Sequence, residues 1–70
     1  MVMSTKIRNN IVREAKKRIK ISSIDFDVLL SGEKEYLQDV TIDKICKEKG
    51  YTLSNFYAID GKKLDKLLDW

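Results

Sequence analysis

The sequence predicts an all-α fold, a small helical bundle that contains a helix-turn-helix. Apolar residues recur at intervals of three and four along most of the chain, and proline is absent. Three glycines divide the chain into four segments, and each stands where a helix can end: Gly32, Gly50 and Gly61. Seventy residues allow one hydrophobic core, so we expect residues 1–70 to form a single domain.

The first helix is predicted from a cap at Ser4 or Thr5 to about Lys20. Its apolar residues follow at intervals of four: Ile7, Ile11, Ala15 and Ile19. Its opposite face carries a basic stripe: Lys6, Arg13, Lys16, Lys17 and Lys20. Arg8 and Arg18 stand on the apolar side, and we expect their charged ends to reach solvent from its edge.

Two structures fit the segment from Ser22 to Ser31. Ser22 and Asp25 have the spacing of a capping box, which favours a helix. Apolar residues at every second position favour a strand instead: Ile24, Phe26, Val28 and Leu30. We favour the helix, and the alternative is an α+β domain with a hairpin over about residues 24–42.

Two short helices joined by a glycine turn are predicted after residue 40. Thr41 can cap the first helix and Gly50 ends it, while Thr52 can cap the second helix, residues 53–59. Their buried faces are Ile42, Ile45 and Cys46 in the first helix and Leu53 and Phe56 in the second. This arrangement is typical of a helix-turn-helix.

The rest of the chain predicts one more helix. Asp60 and Gly61 end the preceding helix, and residues 62–70 repeat the helical pattern with three leucines on one face: Leu64, Leu67 and Leu68. Leu67, Leu68 and Trp70 can either complete the core or join two copies of the chain. Because a core of this size is marginal, we expect a homodimer joined there.

The free face of the helix 53–59 offers side chains that suit DNA bases. Ser54 and Asn55 can exchange hydrogen bonds with base edges, and Ala58 can meet the methyl group of thymine. The basic stripe of the first helix offers phosphate contacts through Arg13, Lys16, Lys17 and Lys20. The same residue types occur on exposed faces of ordinary helical hairpins, so periodicity alone leaves both interpretations open.

A more specific pattern runs through the centre of the chain, Val40-Thr41-Ile42-Asp43-Lys44-Ile45-Cys46-Lys47-Glu48-Lys49-Gly50 followed by Phe56-Tyr57. With Glu33-Lys34 and Tyr36 before it, this pattern resembles the DNA-binding region of the tetracycline-repressor (TetR) family. The resemblance covers about residues 24–68.

The resemblance implies a helix-turn-helix that binds DNA. It implies phosphate contacts from four residues, Thr41, Tyr57, Lys62 and Lys63, and base contacts near the start of the recognition helix from Thr52, Ser54 and Asn55. In that family a larger carboxyl-terminal domain binds effector and dimerises. Nothing in these 70 residues corresponds to that domain, so we expect no response to a small-molecule effector.

The residue types weigh against several functions. Without histidine and with one cysteine, the sequence holds no ligand set for zinc or an iron–sulfur cluster and lacks the usual acid–base pairs. We therefore expect no metal, no cofactor and no enzymatic activity. No apolar run approaches the roughly 18 residues of a membrane span, so we expect a cytoplasmic protein that does not associate with a membrane.

The charge is divided unevenly along the chain. The net charge is +6 in residues 1–22, −5 in residues 23–43 and +2 in residues 44–70. The basic part favours a polyanion as partner, and double-stranded DNA is the first candidate. The sequence thus predicts a small sequence-specific DNA-binding transcription regulator that reads the major groove with the helix 53–59. The alternative is a small adaptor or antirepressor that binds another regulatory protein through the acidic surface of residues 25–43.

Overall fold

The computed structural model describes residues 3–70, and within that range it contains α-helices and no strand. The four helices are α1 (Thr5–Ile21), α2 (Ser31–Glu48), α3 (Leu53–Tyr57) and α4 (Gly61–Leu67). The all-α prediction is confirmed, and the alternative with a hairpin over residues 24–42 is wrong. Every helix in residues 3–70 falls short of the length and hydropathy that a membrane crossing needs.

Helix α1 forms as its sequence predicts. Ser4 is the N-cap, and its hydroxyl oxygen accepts a hydrogen bond from the backbone N–H of Ile7 at 3.2 Å. Of the predicted inner face, Ile11, Ala15 and Ile19 are buried, and Ile7 is half-buried and packed against the core. Val12, next to Ile11, is also buried. The spacing of four therefore identified the face of α1 that packs into the core.

The segment between α1 and α2 differs from the helix predicted for Ser22–Ser31. Ser22 is the C-cap of α1, and its hydroxyl donates to the carbonyl oxygen of Ile19 at 2.6 Å. Ser23 then adopts a left-handed backbone with φ of 64°, which turns the chain away from the helix axis. Only one turn of 3₁₀ helix follows, Phe26–Val28. The capping-box prediction is wrong because Ser22 ends a helix instead of beginning one.

Helix α2 begins ten residues before the predicted cap at Thr41. It starts at Ser31, where the carboxylate of Glu33 accepts from the backbone N–H of Leu30 at 3.4 Å. Thr41 lies inside the helix, and its hydroxyl donates to the carbonyl oxygen of Leu37 at 2.7 Å. Gly32 stands in the first turn of α2, so its predicted role at a helix end is also wrong.

The turn between α2 and α3 agrees with the prediction. Gly50 has φ of +83°, the conformation that glycine adopts at low cost, and the N–H of Tyr51 donates back to the carbonyl oxygen of Cys46 at 2.8 Å. Thr52 then caps α3, which confirms the second cap of the helix-turn-helix. A Cβ at Gly50 would meet open space, so no neighbouring atom opposes a substitution. The positive φ alone makes a substitution there unfavourable.

Helix α3 is shorter than predicted and is followed by a separate helix. It ends at Tyr57, two residues before the predicted end, so Ala58 occupies the C-cap position outside the helix. Gly61 begins α4 instead of ending α3, because the carboxylate of Asp60 accepts from the N–H of Lys62 at 2.8 Å and caps the new helix.

The core joins α1, α2 and α3. Its fully buried side chains are Met3, Ile11, Ala15, Ile42, Ile45, Cys46 and Phe56. Phe56 has no exposed surface, so α3 is attached to the bundle through the largest side chain in the core. Burial also raises the pKa of the Cys46 thiol, which keeps it protonated at neutral pH.

The carboxyl-terminal residues pack on the same bundle. The Phe26 and Trp70 rings stack with their centroids 5.4 Å apart, and the Lys16 ammonium lies 5.6 Å from the Trp70 ring. Buried Gln38 donates to the carbonyl oxygens of Leu68 and Trp70, each at 3.3 Å. Leu67, Leu68 and Trp70, the predicted dimer seam, are half-buried and packed against the core of their own chain.

Replacing Phe56 with Ala should lower the free energy of unfolding by about 3–5 kcal/mol, because a fully buried aromatic ring leaves a cavity. Equilibrium urea unfolding measures this change. Ser54→Ala in the same helix is the control, since Ser54 is exposed and its replacement should change stability by no more than about 0.5 kcal/mol. Equal losses for the two variants would mean that α3 does not contribute to the core.

Candidate nucleic-acid interface

A buried arginine of α1 holds the end of α3. Arg8 is 4% exposed; its Nε donates to the carbonyl oxygen of Phe56 at 3.0 Å, and one Nη donates to those of Asn55 and Ala58 at 3.2 and 3.1 Å. Carbonyls in the last turn of a helix have no partner within the helix, and a positive charge there is favourable. The expectation that the charged end of Arg8 reaches solvent is therefore wrong. Arg8 fixes α3 from the inner side.

The start of α3 is closed by a reciprocal pair of hydrogen bonds. The Thr52 hydroxyl oxygen accepts from the N–H of Asn55 at 3.2 Å, and the Asn55 side-chain oxygen accepts from the N–H of Thr52 at 3.0 Å. Both residues were predicted to contact bases. In the structure their side chains cap the start of α3, so both side chains already make hydrogen bonds within the chain.

The outer face of α3 is small and polar. Thr52, Ser54 and Ala58 are exposed, and Asn55 is half-buried. Ser54 is the exposed member of this group that lies within the helix, because Thr52 and Ala58 are its two capping residues. The base-reading surface predicted from the sequence is therefore centred on Ser54.

The basic stripe of α1 borders two basic surfaces. The first, which we call the turn groove, has a volume of about 630 Å³ and lies between α1 and the end of α2 next to the turn that leads to α3. Its basic lining residues include Arg13 and Lys17, which were predicted, and Lys49, which was not. Lys49 is the C-cap of α2, where a positive charge is favourable.

The acidic residues of the turn groove are paired with Arg18. The guanidinium of Arg18 donates to both oxygens of Glu48, at 2.8 and 2.6 Å, and to Glu14 at 3.3 Å. This pairing lowers the pKa of Glu48, because the bonds to Arg18 favour its ionised form. With Arg18 engaged by the two carboxylates, the charges of Arg13, Lys17 and Lys49 give the turn groove its positive character.

A second basic surface lies between α1 and α4. One hollow there is lined by residues that include Arg13, Lys16 and Lys66, and the neighbouring hollow is lined by residues that include Lys63 and Lys66. Arg13 and Lys16 thus line one hollow and Lys63 lines the other, and Lys66, which was not predicted, lines both. Lys20 and Lys62 are exposed, and neither lines these hollows or the turn groove.

Neither Tyr57 nor Thr41 lines the turn groove or the hollows between α1 and α4. The Tyr57 hydroxyl donates to the carboxylate of Asp39, and burial together with this bond raises the pKa of Tyr57. The groove around it is lined by one lysine, Lys66, and by four carboxylates, those of Glu35, Asp39, Asp65 and Asp69. A phosphate at Tyr57 would face these negative charges. Thr41 is half-buried, and its hydroxyl is bonded inside α2.

A scan against protein-family models, a search of curated proteins and a search of solved structures each give no match. The resemblance to the TetR family therefore stays a prediction that depends on the motif residues. What the chain binds is inferred from the geometry of α3 and from the charges around it.

Replacing Arg8 with Met keeps much of the aliphatic side chain but removes every donor. The carbonyl oxygens of Asn55, Phe56 and Ala58 then lose their side-chain partner, and we expect the free energy of unfolding to fall by about 2–4 kcal/mol. Arg8→Lys should restore part of the loss, because it keeps the charge but lacks the planar fork. Urea unfolding of the three proteins measures the series.

Arg13→Met is the matched control, because Arg13 is exposed on the same helix. Its cost should stay within about 0.5 kcal/mol. If the Arg8 and Arg13 variants lost the same stability, the bonds from Arg8 to α3 would contribute no more than an exposed arginine does.

Proposed function

We propose that the chain is a small sequence-specific DNA-binding regulator of transcription that inserts α3 into the major groove. The observation that carries the proposal is the position of the turn groove, whose basic residues adjoin the turn of a helix-turn-helix. Arg13, Lys17 and Lys49 could bind phosphates while α3 approaches the bases. DNA phosphates attract such a surface whatever the base sequence.

Two surfaces share the phosphate contacts in this proposal. The turn groove contributes Arg13, Lys17 and Lys49, and the surface between α1 and α4 contributes Lys16, Lys63 and Lys66. Lys20 and Lys62 provide further positive charge at exposed positions. We do not assign phosphates to Thr41 or Tyr57, because Tyr57 lies among carboxylates and the Thr41 hydroxyl is bonded within its helix.

The bases are read in this proposal by the small polar face of α3. The Ser54 hydroxyl can donate to or accept from base edges, and the Ala58 methyl group suits the methyl group of thymine. Thr52 and Asn55 add base contacts through the side-chain donors and acceptors that the cap of α3 does not use. A rigid helix end favours such contacts, since little freedom is lost on binding.

Pairing of two copies belongs to the proposal because a helix of five residues contacts few base pairs. Two copies would place their recognition helices in successive major grooves about 34 Å apart. Since Leu67, Leu68 and Trp70 pack within their own chain, we expect the copies to meet on adjacent half-sites of DNA and not through a carboxyl-terminal seam.

The rival function is an adaptor or antirepressor that binds a regulatory protein through residues 25–43. It requires the acidic surface and makes no use of the turn groove. DNA binding, and its dependence on the basic residues, separates the two functions.

The first functional prediction concerns salt. With about five phosphate contacts, a plot of log Kobs against log salt concentration should fall with a slope near −4.5. Lys17→Gln should reduce the steepness by about 1 and weaken binding to all sequences equally. Fluorescence anisotropy of a labelled mixed-sequence duplex, between about 50 and 200 mM salt, measures both quantities.

Lys34→Gln is the control for this series. The Lys34 ammonium lies 5.5 Å from the Phe26 ring, in the acidic part of the chain, so its loss should leave the slope unchanged. Undetectable binding at the lowest salt would exclude the proposed function and favour the adaptor.

The second functional prediction concerns the bases. A preferred duplex is selected from a randomised pool, and Ser54→Ala should then reduce its preference over random DNA by about 1–3 kcal/mol. Ser54 suits this test because it is exposed, whereas changes at Thr52 or Asn55 also remove a helix cap. A variant that lost affinity for both duplexes equally would show that Ser54 does not read bases.

A further inference from the structure

Large apolar side chains are exposed on the acidic part of the chain. Val28, Leu30 and Tyr36 are 73%, 73% and 72% exposed, and Ile24 is 41% exposed. A shallow hollow of about 360 Å³ lies here, and its apolar lining is Ile24, Leu29, Tyr36 and Leu37. We call these four lining residues and their exposed neighbours in the sequence, Val28 and Leu30, the apolar patch. Soluble proteins rarely group so many exposed apolar residues without a partner for them.

The apolar patch is built on a fixed support. The Phe26 ring stacks on the Trp70 ring with the centroids 5.4 Å apart. The Lys34 ammonium lies 5.5 Å from the centroid of the Phe26 ring. These contacts attach the 3₁₀ turn to the bundle and to the start of α2. A preformed surface of this kind loses little freedom when it binds.

The segment that carries the apolar patch also carries most of the acidic residues of the first 43 positions. Glu33 lines the hollow, and Asp25 and Asp27 are exposed in the preceding segment. Glu35, which precedes Tyr36 in the sequence, is also exposed. Lys34 is the one basic residue between positions 23 and 43, and its ammonium is directed to the Phe26 ring. The rim of the patch is therefore negative.

This charge selects the occupant of the apolar patch. Two copies joined by a two-fold axis at the patch would bring identical acidic rims together, which is unfavourable. Nucleic acid is repelled by the same charges. We propose that the apolar patch binds a basic amphipathic helix of a partner protein, with aliphatic side chains in the hollow and Lys or Arg side chains on the acidic rim.

The proposed protein site and the turn groove lie toward opposite ends of α2. Tyr36 belongs to the patch and Glu48 lines the turn groove, and these residues are 12 positions apart, which corresponds to about 18 Å of helix. A partner on the patch therefore leaves the turn groove open. The inference does not depend on the proposed DNA binding, and the two are tested separately.

The probe is a fluorescein-labelled 14-residue peptide of Leu and Lys with one apolar face. Matched peptides replace Lys with Glu in one case and Leu with Ser in the other. We expect the Leu/Lys peptide to bind at least about tenfold more tightly than either matched peptide, because the patch combines apolar area with negative charge. Fluorescence anisotropy on the full chain measures the affinities.

Variants of the full chain connect this binding to the patch. Val28→Ser and Tyr36→Ser should each weaken binding of the Leu/Lys peptide about tenfold, and Asp27→Lys should weaken it and reduce its salt dependence. Ile21→Ser is the matched control, because Ile21 is 70% exposed but lies outside the patch. Far-UV circular dichroism should show unchanged helicity in all four variants, since every substituted side chain is exposed.

Three results would overturn the inference. The first is equal peptide affinity for Ile21→Ser and Tyr36→Ser. The second is sedimentation of the wild type as a dimer at tens of micromolar, converted to a monomer by Tyr36→Ser, which would give the patch to a second copy. The third is loss of duplex DNA affinity in Tyr36→Ser, which would place the patch in the nucleic-acid interface.

Discussion

The hydrogen bonds from Arg8 to the last turn of α3 hold this helix in place on the bundle, and the proposed DNA-binding surface depends on that position. A helix of five residues is too short to be stable by itself, so the position of α3 depends on what holds it. Phe56 attaches α3 to the core, and Arg8 binds the carbonyl oxygens at its end from 47 to 50 residues away in the sequence. These two contacts leave the outer face of α3 exposed in a fixed orientation, as a base-reading helix requires.

Helix α2 separates two surfaces of opposite charge. The turn groove at its carboxyl end is basic, with Arg18 occupied by Glu14 and Glu48. The apolar patch at its amino end has an acidic rim. The uneven charge along the sequence thus becomes an uneven charge in space, on which both proposed partners, DNA and a basic protein segment, depend.

The parts of the fold that depend on local signals could be predicted. Ser4, Gly50 and Thr52 act where the sequence indicated, because caps and left-handed turns depend on residue type. The start of α2 could not be predicted, because its N-cap residue, Leu30, has no side-chain group that can accept a hydrogen bond. Thr41 has a residue type that caps helices, but it lies inside α2. The role of Arg8 depends on a contact with α3 that periodicity does not encode. Its only signal was a charged residue on an apolar face.

We propose that α3 and the turn groove bind DNA while the acidic end of α2 does not. Backbone amide NMR of the full chain, titrated with a short duplex at low salt, tests it most directly. We expect the largest shift changes at residues 52–58 and at Arg13, Lys17 and Lys49, with small changes over residues 24–36. The largest changes over residues 24–36, or an unchanged spectrum, would contradict it.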